Sequence, residues 1–312
     1  DDFKKIPGSP VAYWVSDKVR EIFETSPSMG EVADARQGLA TADNNRFLRF
    51  WQEVSISKIG FGIESLEQAQ ASSKKWFPHN KGGEFRKWYG NNETLVNWEH
   101  DGFEIKNLVD ENGKQRSRPQ NTNVYFKEAI TWSDVTSSAN GFRFCPAGFI
   151  PNTIAPVVYI NDIKIREKVL LISNTSFASW LVKILNPTMH FHIGYFELLP
   201  YADKVNFTED VLSKLLHIAK VDWDSYETSW EFTENPIIRT GQPNLEQAFH
   251  TWQQQNADAV AEMKRLEEEN NKLFIDAYGL QDELTPEVPD EQITLTRADR
   301  EKDSQRLVSY AL

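Results

Sequence analysis

The chain holds a single cysteine, Cys145, among 312 residues. One thiol excludes an internal disulfide and a cysteine-built zinc site, and it favours a reducing compartment. No apolar run approaches the roughly 18–20 residues that a membrane-spanning helix needs, and no charged-then-apolar leader opens the sequence. A cytoplasmic location without a membrane partner is therefore expected. Neither a G-x-G-x-x-G turn nor a P-loop occurs, so no nucleotide-phosphate cradle is signalled. An excess of positive charge is also missing: the formal net charge is −12.

That last absence is local. Residues 1–125 carry 17 basic against 18 acidic side chains, residues 126–200 carry 6 against 5, and residues 201–312 carry 11 against 23. The acidic excess lies in the last third. A screening length of roughly 8–10 Å separates such a lobe electrically from a distant basic cleft. The total charge therefore does not exclude a nucleic-acid partner.

What is present supports an α+β fold: a mixed-sheet region followed by a mainly helical, acidic carboxy-terminal region with one long helix. Residues 1–30 read as a lead-in. Ile6–Pro10 is extended or turned, and a short helix covers about Val15–Glu24. From 31 to 201, short aromatic and β-branched runs predict strands at Asn45–Trp51, Leu95–Trp98, Ala129–Trp132, Gly141–Phe144, Ala155–Ile160 and Leu170–Ile172. Phe177–Leu185 has helical spacing, and 110–123 is a polar loop. From 202 to 312 the pattern turns helical. Asn244 caps a helix over 244–278, Gln247 sits at a capping-box position and Gly279 stops it. Apolar residues recur there in alternating steps of four and three, interrupted by Asn256 and Asn270, as a packing seam requires. About 35 residues at roughly 1.5 Å each make a rod near 50 Å long.

One stretch fits no core period. Trp76–Asn92 (WFPHNKGGEFRKWYGNN) interleaves aromatic rings with Lys81, Arg86 and Lys87, with Lys75 just upstream and Gly82-Gly83 at its centre. Cations that pair phosphates, rings that stack and a backbone free to approach closely are the components of a nucleic-acid surface. A surface loop with buried tryptophans is the other reading. Thr41, Asn44, Asn45 and Arg46 lie in a turn feeding a strand, where a self-capped Asx turn is the alternative. Arg116, Arg118, Gln120 and Asn121 form a basic loop with two amides. Guanidiniums read guanine and amides read adenine in the major groove. Arg143 is a further candidate, or an internal partner in the sheet.

His190-Phe191-His192 places two imidazoles on one strand face, but no third ligand stands nearby in the sequence, so no metal site is expected. Asn186-Pro187-Thr188-Met189 lacks the second proline and the ring of the Asn/Asp-Pro-Pro-aromatic tetrapeptide that stacks on a flipped base. Asp162-Ile163-Lys164 lacks the upstream acid of a metal nuclease. No complete catalytic constellation is present, and by its residues alone the chain is a binding module. The alternative is a protein-interaction module.

Several segments together resemble a family. They include RQGLATADNNRFLRFW (36–51), KKWFPHNKGGEFRKWYGNNETLVNWEHDG (74–102), RSRPQNTNVYFKEAITWS (116–133), LNPTMHFHIGYFELLP (185–200) and EEENNKLFIDAYGLQDELTPEVPDEQITL (267–295). They are similar to the carboxy-terminal half of the PglX family, the adenine-specific DNA methyltransferases of bacterial BREX phage-defence systems. The resemblance implies that an S-adenosylmethionine-dependent domain lies upstream. None of that domain's motifs is present here, so this segment alone is not expected to be an enzyme or to hold the cofactor. It implies that 31–201 is a target-recognition domain on double-stranded DNA and that 202–312 is a helical spacer. Partners implied are duplex DNA and the chain's own methyltransferase domain; other BREX proteins or an acidic DNA-mimic inhibitor are the partners of the alternative reading. Under this resemblance Lys75, Lys81, Arg86, Lys87 and the Gly82-Gly83 backbone meet phosphate. Arg116, Arg118, Gln120, Asn121, Asn44, Asn45, Arg46 and Arg143 are candidate base readers. Family members often have Gly where this chain has Ala42.

Overall fold

The computed structural model describes residues 15–135, 140–186, 190–203 and 205–312. The expectations for Ile6–Pro10 and for Pro187–Met189 lie outside them. Two four-stranded sheets form the centre. β1 (Asp34–Arg36), β8 (Val157–Tyr159), β5 (Ala129–Thr131) and β6 (Arg143–Cys145) lie side by side in that order, all antiparallel. The second sheet orders β2 (Leu48–Phe50), β4 (Thr94–Asn97), β3 (Trp76–Asn80) and β7 (Ile150–Pro151), and only its last pair is parallel. The fold is α+β, with a long helix near the carboxy terminus.

The largest core packs the first sheet against helices from both ends of the chain. It joins Val19 and Ile22 of the helix Asp17–Thr25, Ile130 and Val158 of the sheet, Leu215, and Met263, Leu266 and Phe274 of the long helix. At its centre the Trp132 ring meets Phe142, Phe191 and Phe196 at centroid distances of 5.4, 5.9 and 5.3 Å. Such ring pairs add about 0.5–1.5 kcal/mol each beyond their buried area. The indole N–H is satisfied by the Phe191 carbonyl at 2.8 Å. A smaller core of Leu39, Phe47, Phe77, Val96, Trp98, Ile105, Tyr125 and Phe126 lies against the mixed sheet. It supports the loops in which most of the candidate residues sit.

Local chemistry shifts two of the expected strands. Asp43 accepts the Arg46 N–H at 3.0 Å and caps a helical turn, Asn44–Phe47, so the strand begins only at Leu48. Leu170–Ile172 belongs to the helix Ile163–Ser173, whose last five residues are all buried. A short apolar run buried on all sides carries no period that separates strand from helix. The helix Ser176–Leu185 follows at a bend of 72°. No single helix among the described residues is long and apolar enough to cross a membrane.

The long helix is Leu245–Tyr278, capped by Asn244 on the Gln247 N–H and stopped by left-handed Gly279. Its two seam asparagines, Asn256 and Asn270, pair with backbone rather than with another helix. Asn256 bonds the Thr296 carbonyl and the Ala298 N–H, each at 2.8 Å, and Asn270 donates to the Leu171 carbonyl at 3.0 Å. They fix where the helix sits along the core.

Candidate nucleic-acid interface

A groove of about 310 Å³ opens beside the mixed sheet, lined by Asn44, Asn45, Arg49, Phe50, Lys81 and Thr94, with Leu48 and Glu53 completing it. Two loops supply it. The capped turn at Asp43 exposes Asn44 and Asn45, and the Asn44 amide oxygen accepts the Thr41 hydroxyl. Arg49 donates to the Asn45 and Leu48 carbonyls at 2.7 and 2.6 Å while its guanidinium lies 5.5 Å over the Trp76 ring. Opposite them, β3 ends at Asn80 and delivers Lys81. No carboxylate lies within 4.0 Å of the Lys81 ammonium among the described residues. Glu53 is occupied by the Phe50 N–H at 2.6 Å.

Beneath Lys81 the wall is fixed by buried His79. One ring nitrogen faces the Ile150 carbonyl at 2.8 Å and the other the Asn152 amide at 3.0 Å. Burial pushes the His79 pKa down to about 4. The neutral ring donates to Ile150 and accepts from Asn152, which joins β3 to the 150–152 segment.

The second group of candidates stands next to the first along the backbone. Arg118 and Ala40 exchange both backbone hydrogen bonds, at 2.9 and 3.0 Å. Arg116 and Arg118 are exposed and form no ion pair among the described residues. The preceding hairpin is closed by Asp110, whose carboxylate accepts the Asn112 and Lys114 N–H groups at 2.9 Å. The expected loop is thus a pinned turn.

Several other expectations are corrected. Lys87 is not on the surface. Only 5 % of it is exposed, and its ammonium pairs with buried Glu267 of the long helix, whose other oxygen accepts the Trp88 indole N–H at 2.7 Å. Burial lowers the Lys87 pKa, and Glu267 opposes that shift. Arg86 pairs with Asp222 at 3.0 Å and lies 5.1 Å over the Trp223 ring. Burial raises the Asp222 carboxyl, and the Arg86 charge works against it. Arg143 is 1 % exposed and donates to the carbonyls of Arg86 and Gly141 at 3.3 and 3.5 Å. Burial lowers its pKa to about 10. These three cations hold the interior: acids from far along the chain reach Arg86 and Lys87, and backbone carbonyls take the Arg143 guanidinium.

The rings expected to stack are likewise internal: Trp76, Phe77, Trp88 and Tyr89 are all at most 9 % exposed. Gly83 is already bonded through both backbone groups to the Ser133 hydroxyl, at 3.1 and 3.0 Å. Its φ of +146° and an Asn91 amide 2.7 Å from any added Cβ explain the glycine without a ligand. Gly82 is half-buried beside it. Arg46 makes a two-pronged ion pair with Glu104, at 2.7 and 2.6 Å, and Lys75 pairs with Glu99 at 3.2 Å. Gln120 and Asn121 donate to the Gly38 and Gln37 carbonyls at 3.3 and 2.9 Å, so their amides buttress the 37–40 segment. Arg49, His79 and Glu267 carried no motif and were not anticipated; the Arg49–Trp76 pairing needs the β2–β4–β3 register to be known.

The arrangement is an α+β scaffold in which helices neutralise Arg86 and Lys87 and leave Lys81 at a groove. Its relatives give that scaffold a lineage. The chain is 38% identical over 99% of its length to a protein called adenine-specific methyltransferase PglX, from Lacticaseibacillus casei (strain Zhang). It is 32% identical over 91% of its length to adenine-specific methyltransferase BrxX of Escherichia coli O9:H4 (strain HS). It is related, nearly end to end, to the PglX and BrxX adenine-specific methyltransferases. It spans 26% and 22% of their lengths, about a quarter rather than a half. No family model matches the chain.

Proposed function

We propose that this segment reads duplex DNA for an adenine-specific DNA methyltransferase of a BREX phage-defence system. Asn44, Asn45, Arg49 and Lys81 grip one stretch of backbone and base edges in the groove, and Arg116 and Arg118 extend the contact. One observation carries the reading: two separate loops bring the Asn44 and Asn45 side chains and the Lys81 ammonium, with no carboxylate within 4.0 Å of it among the described residues, to a single groove, while nearby Arg86 and Lys87 are paired with acids in the interior. Methyl transfer belongs to a separate domain that binds S-adenosylmethionine and takes the adenine out of the stack, while this segment holds the flanking duplex. The helices from 209 onward brace the recognition surface from behind.

The test is binding of the chain to duplex DNA across a salt series. Lys81→Ala weakens binding to every sequence and reduces the log–log salt slope by about one unit. Arg118→Ala relaxes sequence choice in a selection from randomised duplex, by about 1–3 kcal/mol per lost two-pronged base contact. An unchanged salt slope in Lys81→Ala removes the groove from the footprint. Absence of any shift with DNA, together with binding to an acidic protein, assigns the groove to protein docking instead.

A further inference from the structure

We propose that Asp134, His190 and His192 form a binding site for a borderline divalent metal ion, zinc foremost. The two histidines are separated from the aspartate by more than fifty positions, so the sequence offers them no third ligand. The fold supplies it. Phe191 donates its N–H to the Asp134 carbonyl at 2.7 Å, and Val135 and His190 form an antiparallel bridge. The Trp132 indole bond to the Phe191 carbonyl fixes the same two segments from the core side. The frame is therefore set before any ion arrives.

Within that frame the three ligand atoms lie within 4.8 Å of one another. His190 Nδ1 is 3.4 Å from one Asp134 oxygen and His192 Nδ1 is 2.9 Å from the other. The rings stack at a centroid distance of 5.4 Å and an angle of 20°, presenting their nitrogens to the same carboxylate.

The second observation concerns the carboxylate itself. Asp134 is 7 % exposed, and its Oδ1 is buried without a hydrogen-bond partner among the described residues. His192 Nδ1 lies at hydrogen-bond distance from that oxygen but out of hydrogen-bond alignment. With the ring neutral and its proton on Nε2, the Nδ1 lone pair and a carboxylate oxygen held this close repel each other. A cation between them converts the repulsion into two coordinate bonds. An unsatisfied buried carboxylate oxygen is costly, and a metal ion removes that cost.

The donor set selects the ion. Two imidazoles and one carboxylate suit zinc, cobalt, nickel or copper, whereas magnesium and calcium take oxygen ligands. Both imidazoles are more than half exposed, at 53 % and 57 % of their side chains, so remaining coordination positions open to solvent.

The experiment uses the whole chain, stripped with a chelator and titrated with Co²⁺ and then Zn²⁺, read by calorimetry and by the visible bands of bound Co²⁺. One equivalent of Co²⁺ binds, Zn²⁺ displaces it, and Mg²⁺ does not. Asp134→Asn and His192→Ala each weaken binding at least about tenfold, whereas His217→Ala, at an exposed histidine elsewhere, leaves it unchanged. Circular dichroism accompanies each variant. Should Asp134→Asn unfold, His192→Ala at its solvent-facing position carries the test. No uptake, or uptake that His192→Ala leaves intact, overturns the site.

Discussion

Lys81 and Lys87 stand six residues apart in one basic, aromatic stretch, and the fold treats them oppositely. Lys81 ends at an open groove, while Lys87 is enclosed with Glu267 at the other side of the segment. The difference owes nothing to the lysines. It is set by acids that arrive from 136 and 180 residues away, Asp222 on Arg86 and Glu267 on Lys87. A cationic cluster in sequence is therefore a mixture of structural and free charges, and the partner acids decide which is which. Much of the acidic excess of the last third is exposed, but its buried members hold this inner half in place.

The contrast is tested most severely at Glu267. Glu267→Ala leaves a buried ammonium and the Trp88 indole N–H unpaired at once. Removing one member of a buried pair costs about 3–5 kcal/mol, far more than the pair's net contribution. Urea unfolding of the variant measures it. A loss under about 1 kcal/mol, within the range of an exposed pair, breaks the distinction between the two halves.

The outer half depends on pH through His79. Its folded pKa of about 4 lies below its ordinary 6.5. Between those values the unfolded chain holds a proton that the folded chain lacks. Stability from this group is complete above pH 6.5 and falls as pH drops towards 4, by up to about 1.4 kcal/mol per unit and about 3 kcal/mol in all. His79→Asn, able to pair with Ile150 and Asn152 without titrating, removes that share of the pH dependence. Comparing unfolding free energies at pH 7 and pH 4.5 in both proteins isolates it. Equal slopes sink the assignment.

How far these sites could be read in advance follows from what each residue depends on. The long helix was legible to within a residue, because its caps and its apolar period are local. The α+β class was legible too, from short strands without a strand–helix repeat. Asn44, Asn45 and Lys81 were legible as candidates because turn formers keep them at the surface. The burial of Lys87 and Arg86 was not, since it depends on acids that sequence distance hides, whereas the internal place of Arg143 in the sheet was the alternative its strand position already offered. Asp134 was invisible as a ligand for the same reason: a long-range bridge, Val135 to His190, creates the neighbourhood. Arg49 lacked any motif, and its place follows from the Leu48–Val96 register.

The smallest effect lies in the turn that presents Asn44 and Asn45. Ala42 there has φ of +61°, the left-handed region in which a Cβ crowds the following carbonyl. For a residue other than glycine that conformation costs roughly 1–2 kcal/mol. Glycine in its place relieves the strain but loses about 0.4–1 kcal/mol more through the entropy of the unfolded chain. The strain is the larger of the two, so Ala42→Gly stabilises by about 0.5–1 kcal/mol, read as a small rise in the thermal midpoint. A fall in stability would mean that the turn relaxes to negative φ in solution, and the presentation of Asn44 and Asn45 at the groove would then need a different basis from that of the enclosed half.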